Sequence, residues 1–285
     1  MRYSSKIAIA GFELSLNSEV EISLEEGYYP FKSQSNKTPD VEIACYAGIS
    51  EALELGEAVF VAENESQRFY AIYQTGKELT FLIYNQQEKG KIQQLAVLSS
   101  DLKHWTIYTD LLSNGKINPL RYPMGPLIMQ YLTVNSEAVM IHAACVTDGK
   151  TGQLFAGFSG RGKSTMAKIW KDVGYQVIND DRIIIRRQGE EFVAYNTPMY
   201  YADVPKSTVL RSIFLIRHFP ENKIRKIEGA IAVSKVLAFC IQNNFSQSFI
   251  VGNLAFLSKM IQTVNVYELG FVPDNHIIDF VIDNG

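Results

Sequence analysis

The stretch "GFSGRGKST", from Gly157 to Thr165, has the clearest chemical content in this sequence. Its spacing satisfies G-x-x-x-x-G-K-[ST], the pattern of a loop that cradles phosphates. Glycines permit backbone conformations that aim several N–H groups into one concavity, and a helix starting there adds its positive end. Lys163 supplies a mobile positive charge for terminal phosphates, and Ser164 supplies a hydroxyl for Mg²⁺. The expected nucleotide-binding residues are Gly157, Ser159, Gly160, Arg161, Gly162, Lys163, Ser164 and Thr165.

A phosphate cradle does not choose a reaction. The next clue is "INDDRIII", which places Asp180 and Asp181 just after the strand that follows the loop's helix. Ligands of α/β sheets bind at the carboxyl ends of strands. There, one carboxylate can hold a metal and the other can accept a proton from a hydroxyl nucleophile. Elsewhere, two adjacent acids in a turn are solvated or cap a neighbouring segment. His142 lies on the apolar run "VMIHAACV" and, taken alone, reads as a satisfied core histidine. His104, His218 and His276 show no ligand spacing.

The elements that must position these residues are legible as patterns. "QLFAGF" is an apolar strand entering the loop, and "EAVMIHAACV" is another just before it. The "TDGKTG" between them is a hairpin turn. "KSTMAKIWKDV" reads as a helix closed by Gly174. Strands follow at "YQVIN", "RIIIRR" and "VLRSIFLIRHF", then two amphipathic helices at "GAIAVSKVLAFCIQNNF" and "GNLAFLSKMIQTV", then a strand-like "VNVYELGFV". Up to about Asp110 the chain reads mostly as β-structure, with an antiparallel meander over "AVFVAENESQRFYAIYQTGKELTFLIYN". Its aromatics (Phe69, Tyr70, Tyr73, Phe81, Tyr84) read as packing rather than base stacking, because no basic cluster lies among them, only Arg68 and Lys77. "DLKHWTIYTD" fits a strand or the start of a helix, and "LIMQYLTVN" a short helix. The Gly and Pro cluster "SNGKINPLRYPMGP" reads as a connector, so the expected division is a β-rich region over 1–115 and a nucleotide-binding domain over 116–285. Strands mixed with helices and hairpins indicate an α/β protein with mixed-sheet α+β character.

Composition bounds the function classes. The chain has 285 residues, 47% hydrophobic and 20% charged, with a net charge of −3. A near-neutral chain offers no general basic field for nucleic acid or an anionic membrane. No stretch approaches the apolar length that spans a bilayer, and the N-terminus alternates instead of forming a signal-peptide core. A cytoplasmic protein is expected. Cys45, Cys145 and Cys240 lie far apart without metal-ligand spacing and read as buried thiols.

Together these residues resemble the HPr kinase/phosphorylase family. That family carries a histidine on the strand before the hairpin, a G-x-S-G-x-G-K-S loop and an acidic pair in a D-D-R segment. Here His142, "GFSGRGKS" and "NDDR" match at similar intervals. The resemblance covers residues 141–187 well and extends loosely through "YNTPMYYADVPKSTVLRSIFLI". It implies a phosphoenolpyruvate carboxykinase-like P-loop domain, preceded here by the β-rich region. It also implies ATP and Mg²⁺ as cofactors and phosphoryl transfer to a hydroxyl, in this family a protein serine. On the same basis Lys163 and the loop amides hold phosphates, Ser164 and Asp180 bind Mg²⁺, Asp181 is the base and His142 supports it. The chain lacks the "LEIRGLGI"-type signature tied to phosphorylase activity and protein-substrate recognition. The implied partners are a nucleotide and a small protein or peptide substrate, with a homo-oligomer left open. Two other readings stay open: a non-catalytic nucleotide-binding module, and a small carboxykinase-like metabolic enzyme.

Overall fold

The computed structural model describes residues 2–49, 55–134, 136–242 and 245–285. They form a mixed α/β structure built on two eight-stranded sheets. The chain divides into two compact units, one of residues 1–132 with 198–204, the other of residues 133–197 with 205–285.

In unit 1, β1 (Tyr3–Ile9) and β2 (Phe12–Ser18) form a hairpin, followed by β3 (Val41–Ala47), β4 (Ala58–Glu63), β5 (Arg68–Thr75), β6 (Glu78–Tyr84), β7 (Ile92–Leu98) and β8 (His104–Thr109). The sheet order is β1-β2-β3-β8-β7-β6-β5-β4. The β2–β3 and β3–β8 pairs are parallel, and the meander from β4 to β8 is antiparallel. Alternation sets the faces: Val41, Ile43 and Cys45 are buried while Glu42 is exposed. The ambiguous "DLKHWTIYTD" holds strand β8 because Trp105, Ile107 and Thr109 alternate inward.

The short helix expected at "LIMQYLTVN" is α1 (Met124–Thr133). Its Tyr131 packs edge-on against Phe81 and Trp105, with centroids 5.3 and 5.7 Å away. The expected boundary at 115/116 therefore differs from the observed one at 132/133. The connector is part of unit 1: Ile117 bridges to Ile22 and Leu111, and the buried Gln94 amide donates to the carbonyls of Asn118 and Pro119, each at 3.1 Å.

Unit 2 contains β9 (Ala138–Thr147), β10 (Thr151–Ala156), α2 (Lys163–Asp172), β11 (Gln176–Asn179), β12 (Arg182–Gln188), β13 (Glu191–Asn196), β14 (Ser207–His218), β15 (Lys223–Ile227), α3 (Gly229–Leu237), α4 (Gln247–Met260), β16 (Asn265–Phe271) and α5 (His276–Asn284). The order is β10-β9-β12-β13-β14-β16-β15, with β11 also on β9. The β9–β10 hairpin is antiparallel, as its turn residues indicate. Strand β10 also runs parallel to β14, so β10, β9, β12, β13 and β14 close on themselves, and β14 runs parallel to β16. The carboxyl ends of β10, β14 and β16 consequently gather on one side, where the glycine loop begins.

Strand alternation splits the unit's core into two layers. Ala143, Cys145, Leu154, Ala156, Ile213 and Val266 face Val236, Leu257 and Met260 of α3 and α4. Val146, Phe155, Phe214 and Leu269 face Met166 and Trp170 of α2 and Ile277 of α5. All three cysteines are free and buried, and burial pushes the Cys45 and Cys240 thiols up to about 12. Among the described residues, no helix is long and apolar enough to cross a membrane.

Candidate functional site

The glycine loop connects β10 to α2. Gly160 has φ +75° and Gly162, which caps α2, has φ +97°, both in the left-handed region that side chains disfavour. Gly162 is also sterically committed: a Cβ there would lie 2.7 Å from Phe271 Cζ and 3.0 Å from the His218 ring. The first N–H groups of a helix have no intrahelical partner, so α2 begins as an anion-attracting end. Helix α2 forms as expected, with Met166, Ala167, Ile169 and Trp170 buried.

Lys163 is only 7% exposed, and its Nζ donates to the Gly157 carbonyl at 2.7 Å and to that of Phe158 at 3.4 Å. Burial lowers its pKa, partly offset by the negative charge of Asp181. Ser159, Gly160 and Arg161 are exposed on the loop, and Ser164 and Thr165 are exposed on the first turn of α2.

Strands β11 and β12 lie along one edge of β9, with Asp180 and Asp181 in the break between them. The registers Asn179↔Cys145 and Arg182↔His142 set the break opposite Ala143, whose N–H donates to the Asp181 carbonyl at 3.1 Å. Buried Asn179 staples it: its Nδ2 donates to the carbonyls of Arg182 (3.0 Å) and Thr197 (3.3 Å), and its Oδ1 accepts from the Asp180 N–H at 2.8 Å. Thr197 Oγ1 adds a bond to the Arg182 carbonyl at 3.1 Å.

This register brings residues 39 positions apart into contact: His142 Nδ1 donates to Asp181 Oδ1 at 3.1 Å, and Arg182 Nη1 meets Asp181 Oδ2 at 3.1 Å. The hydrogen bond from His142, then the charge of Arg182, hold the Asp181 carboxyl below the usual carboxylate range, with Lys163 contributing and burial opposing. Asp181 is thus ionised at neutral pH, with the Arg182 guanidinium on Oδ2 and the His142 ring on Oδ1. Asp180 is half-buried, its backbone fixed by Asn179.

The structure therefore brings Lys163, Asp181 and His142 together, with Asp180 adjoining them in the break. Sequence reasoning missed Asn179, Arg182 as an ion-pair partner, and His218, whose ring lies tilted against Phe271 at 4.9 Å beside Gly162. It also missed Phe239, whose carbonyl accepts the His142 N–H at 2.9 Å. Position next to the acidic pair was a usable signal for Asn179 and Arg182. His218 and Phe239 carry none, since only tertiary packing brings them near.

No family model matches the chain, and no curated protein matches it in sequence. Among solved structures it is similar to the Hpr(Ser) kinase/phosphatase from Coxiella burnetii, at 13% identity and a TM-score of 0.29, over 50% of this chain and 91% of that one. That likeness is weak. It carries no argument, and the functional reading rests on the site itself.

Proposed function

We propose that unit 2 is a P-loop kinase domain that transfers the γ-phosphoryl group of ATP to a hydroxyl acceptor, a serine of a protein or peptide. The observation that carries this reading is the Asp181 carboxylate, held by His142 and Arg182 within electrostatic reach of Lys163. A loop used only for binding needs a nearby carboxylate for Mg²⁺, a role that this reading gives to Asp180, which leaves Asp181 for the proton.

In this reading the loop amides of 157–165 and the Lys163 ammonium bind the phosphates, Lys163 exchanging its bonds to the loop carbonyls for phosphate oxygens. Asp181 accepts the proton of the acceptor hydroxyl as that oxygen bonds to the γ-phosphorus. The bridging β–γ bond breaks and ADP leaves with the electron pair. His142 keeps Asp181 Oδ1 aligned, leaving lone pairs for the incoming proton. Among the described residues, no three His, Cys, Asp or Glu side chains are placed to hold a metal by themselves. The all-oxygen pair Ser164 and Asp180 suits Mg²⁺, which is held by one or two protein oxygens, phosphates and water. When bound, Mg²⁺ would neutralise charge developing on the phosphates.

The test is incubation with γ-labelled ATP and Mg²⁺ in a lysate of the source organism, with transfer to an acid-stable phosphoserine expected. A second reading, a nucleotide-binding module without turnover, draws on the bonds that Lys163 already makes to its own loop. Mg-ATP binding with no transfer to any lysate component would favour it.

A further inference from the structure

The glycine loop has two sides, and the residues above occupy one of them. His142 and Arg182 pair across β9 and β12 and alternate with Ile141 and Ile183, which face α3 and α4; they therefore project on the α2 side. On the opposite side, a cavity of about 370 Å³ opens beneath the start of the loop. Its walls are Gly157 and Phe158, the carboxyl end of β14 at Leu215, the end of α3 at Lys235, Ala238 and Phe239, and Glu268 of β16. Leu215 and Glu268 are register partners on the α3 face.

The chemistry of this cavity is specific. Phe158 is 65% exposed, and its ring meets Phe239 edge-on at 5.1 Å, presenting an aromatic corner over the apolar floor of Leu215 and Ala238. Exposed aromatic edges beside a flat apolar floor suit a planar ring. At the far wall, Glu268 is held by Lys235 and by Arg225, whose Nη2 and Nε donate to Oε2 at 2.6 and 3.0 Å. A carboxylate has about four acceptor sites and three are taken, so Oε1 can still accept one hydroxyl donor from a ligand.

We propose that this cavity receives the base and ribose of the nucleotide, the base against the corner made by Phe158 and Phe239 and a ribose hydroxyl on Glu268. The inference rests on the phosphate-loop reading and extends it. With phosphates on the loop and the proton acceptor on the α2 side, the nucleoside leaves the loop towards the α3 side, and the hydroxyl acceptor arrives from the α2 side. The volume lies within the range of ligand pockets, about 300–1,000 Å³.

The experiment compares Mg-ATP and magnesium tripolyphosphate by calorimetry on wild type and Ala238→Trp, with 8-azido-ATP photolabelling of wild type. Ala238 is exposed at the end of α3, so an indole there fills the cavity without entering the core. Wild type is expected to bind ATP more tightly than tripolyphosphate. Ala238→Trp should lose about tenfold or more for ATP and stay within about twofold for tripolyphosphate. The photolabel should fall in peptides carrying Phe158 or Phe239. Tripolyphosphate binding with no preference for ATP, or ATP affinity unchanged in Ala238→Trp, overturns the cavity while the phosphate loop stands. If the variant weakens both ligands, the label decides: in those two peptides it upholds the cavity, elsewhere it overturns it. Wild type that binds neither ligand removes the phosphate-loop reading, and the cavity with it.

Discussion

Unit 1 and unit 2 are each built on an eight-stranded sheet, yet they place their charges differently. In unit 1 most ion pairs join residues close in sequence on exposed turns, as in Glu63–Arg68, Glu88–Lys91 and Asp101–His104. Glu21–Lys116 spans the sequence but is also solvated. Unit 2 has local pairs too, but there charges also converge from distant positions around the glycine loop: His142 with Asp181 beside Lys163, and Glu268 with Lys235 and Arg225. Exposed local pairs contribute about 0–1 kcal/mol and trim the solution behaviour of a turn. Converging, partly buried pairs constrain where a carboxylate points, which is what chemistry requires. The antiparallel registers β9–β12 and β15–β16 bring these pairs together, and the parallel pairs β10–β14 and β14–β16 end at the glycine loop beside them.

The sharpest way to test this contrast is in the chemical step. Asp181→Asn keeps the shape of the side chain and removes the proton acceptor. Transfer should fall by about 10² to 10⁴, while Mg-ATP affinity measured by calorimetry changes little. An unchanged transfer rate would return Asp181 to the structural role its unit 1 counterparts have.

Stability should separate the units next. Trp105→Ala removes a fully buried indole from unit 1 and should cost about 3–5 kcal/mol in urea unfolding. Every residue assigned to the site lies in unit 2, so Mg-ATP affinity of the folded variant should match wild type. A parallel loss of affinity would break the separation.

Lys163→Ala removes the buried ammonium that the proposed function places on the phosphates. Mg-ATP affinity should drop about tenfold or more, about 1.4 kcal/mol. The same calorimetry on wild type sets the reference, and equal affinities would overturn the phosphate-loop assignment.

The smallest effect is on pH dependence. The Asp181 carboxyl is depressed on folding, so its stabilising contribution is full above the ordinary carboxylate pKa and disappears as pH falls through the lower folded value. Asp101 of unit 1 is also depressed, to about 2, first by the Ser99 hydroxyl, but it is exposed and solvent-screened. Acid unfolding curves should therefore lose part of their slope in Asp181→Asn and barely change in Asp101→Asn.

Much of unit 2 was legible because its signals are local. The hairpin turn, the glycine loop and the helix closed by Gly174 each lie within a few residues, and all three occur where expected. Strand β15, "KIRKI", was missed because an edge strand with alternate charged residues reads as a solvated loop. Helix α5 was missed because "HIIDFVIDN" is too short for its period to stand out. The connector misled for a different reason. Gly and Pro near residue 120 signal a turn, and they cannot tell that Ile117 and Leu120 are buried in unit 1.

By itself the sequence determined which residues have the right chemistry: the glycines that tolerate φ above zero, the lysine and hydroxyls after them, and an acidic pair breaking a strand. Tertiary structure decided which of these meet. The contact of His142 with Asp181 depends on the β9–β12 register, set by burial of Ile141 against Ile183, and a shift of β12 by one residue would turn its side chains to the other face and move Asp181 out of register with His142. The cavity on the other side of the loop depends on four segments, at 157–158, 215, 235–239 and 268, that share no sequence pattern. Each was shaped by its own local burial, and only the packing of α3 onto β14 and β16 gives their side chains a common wall.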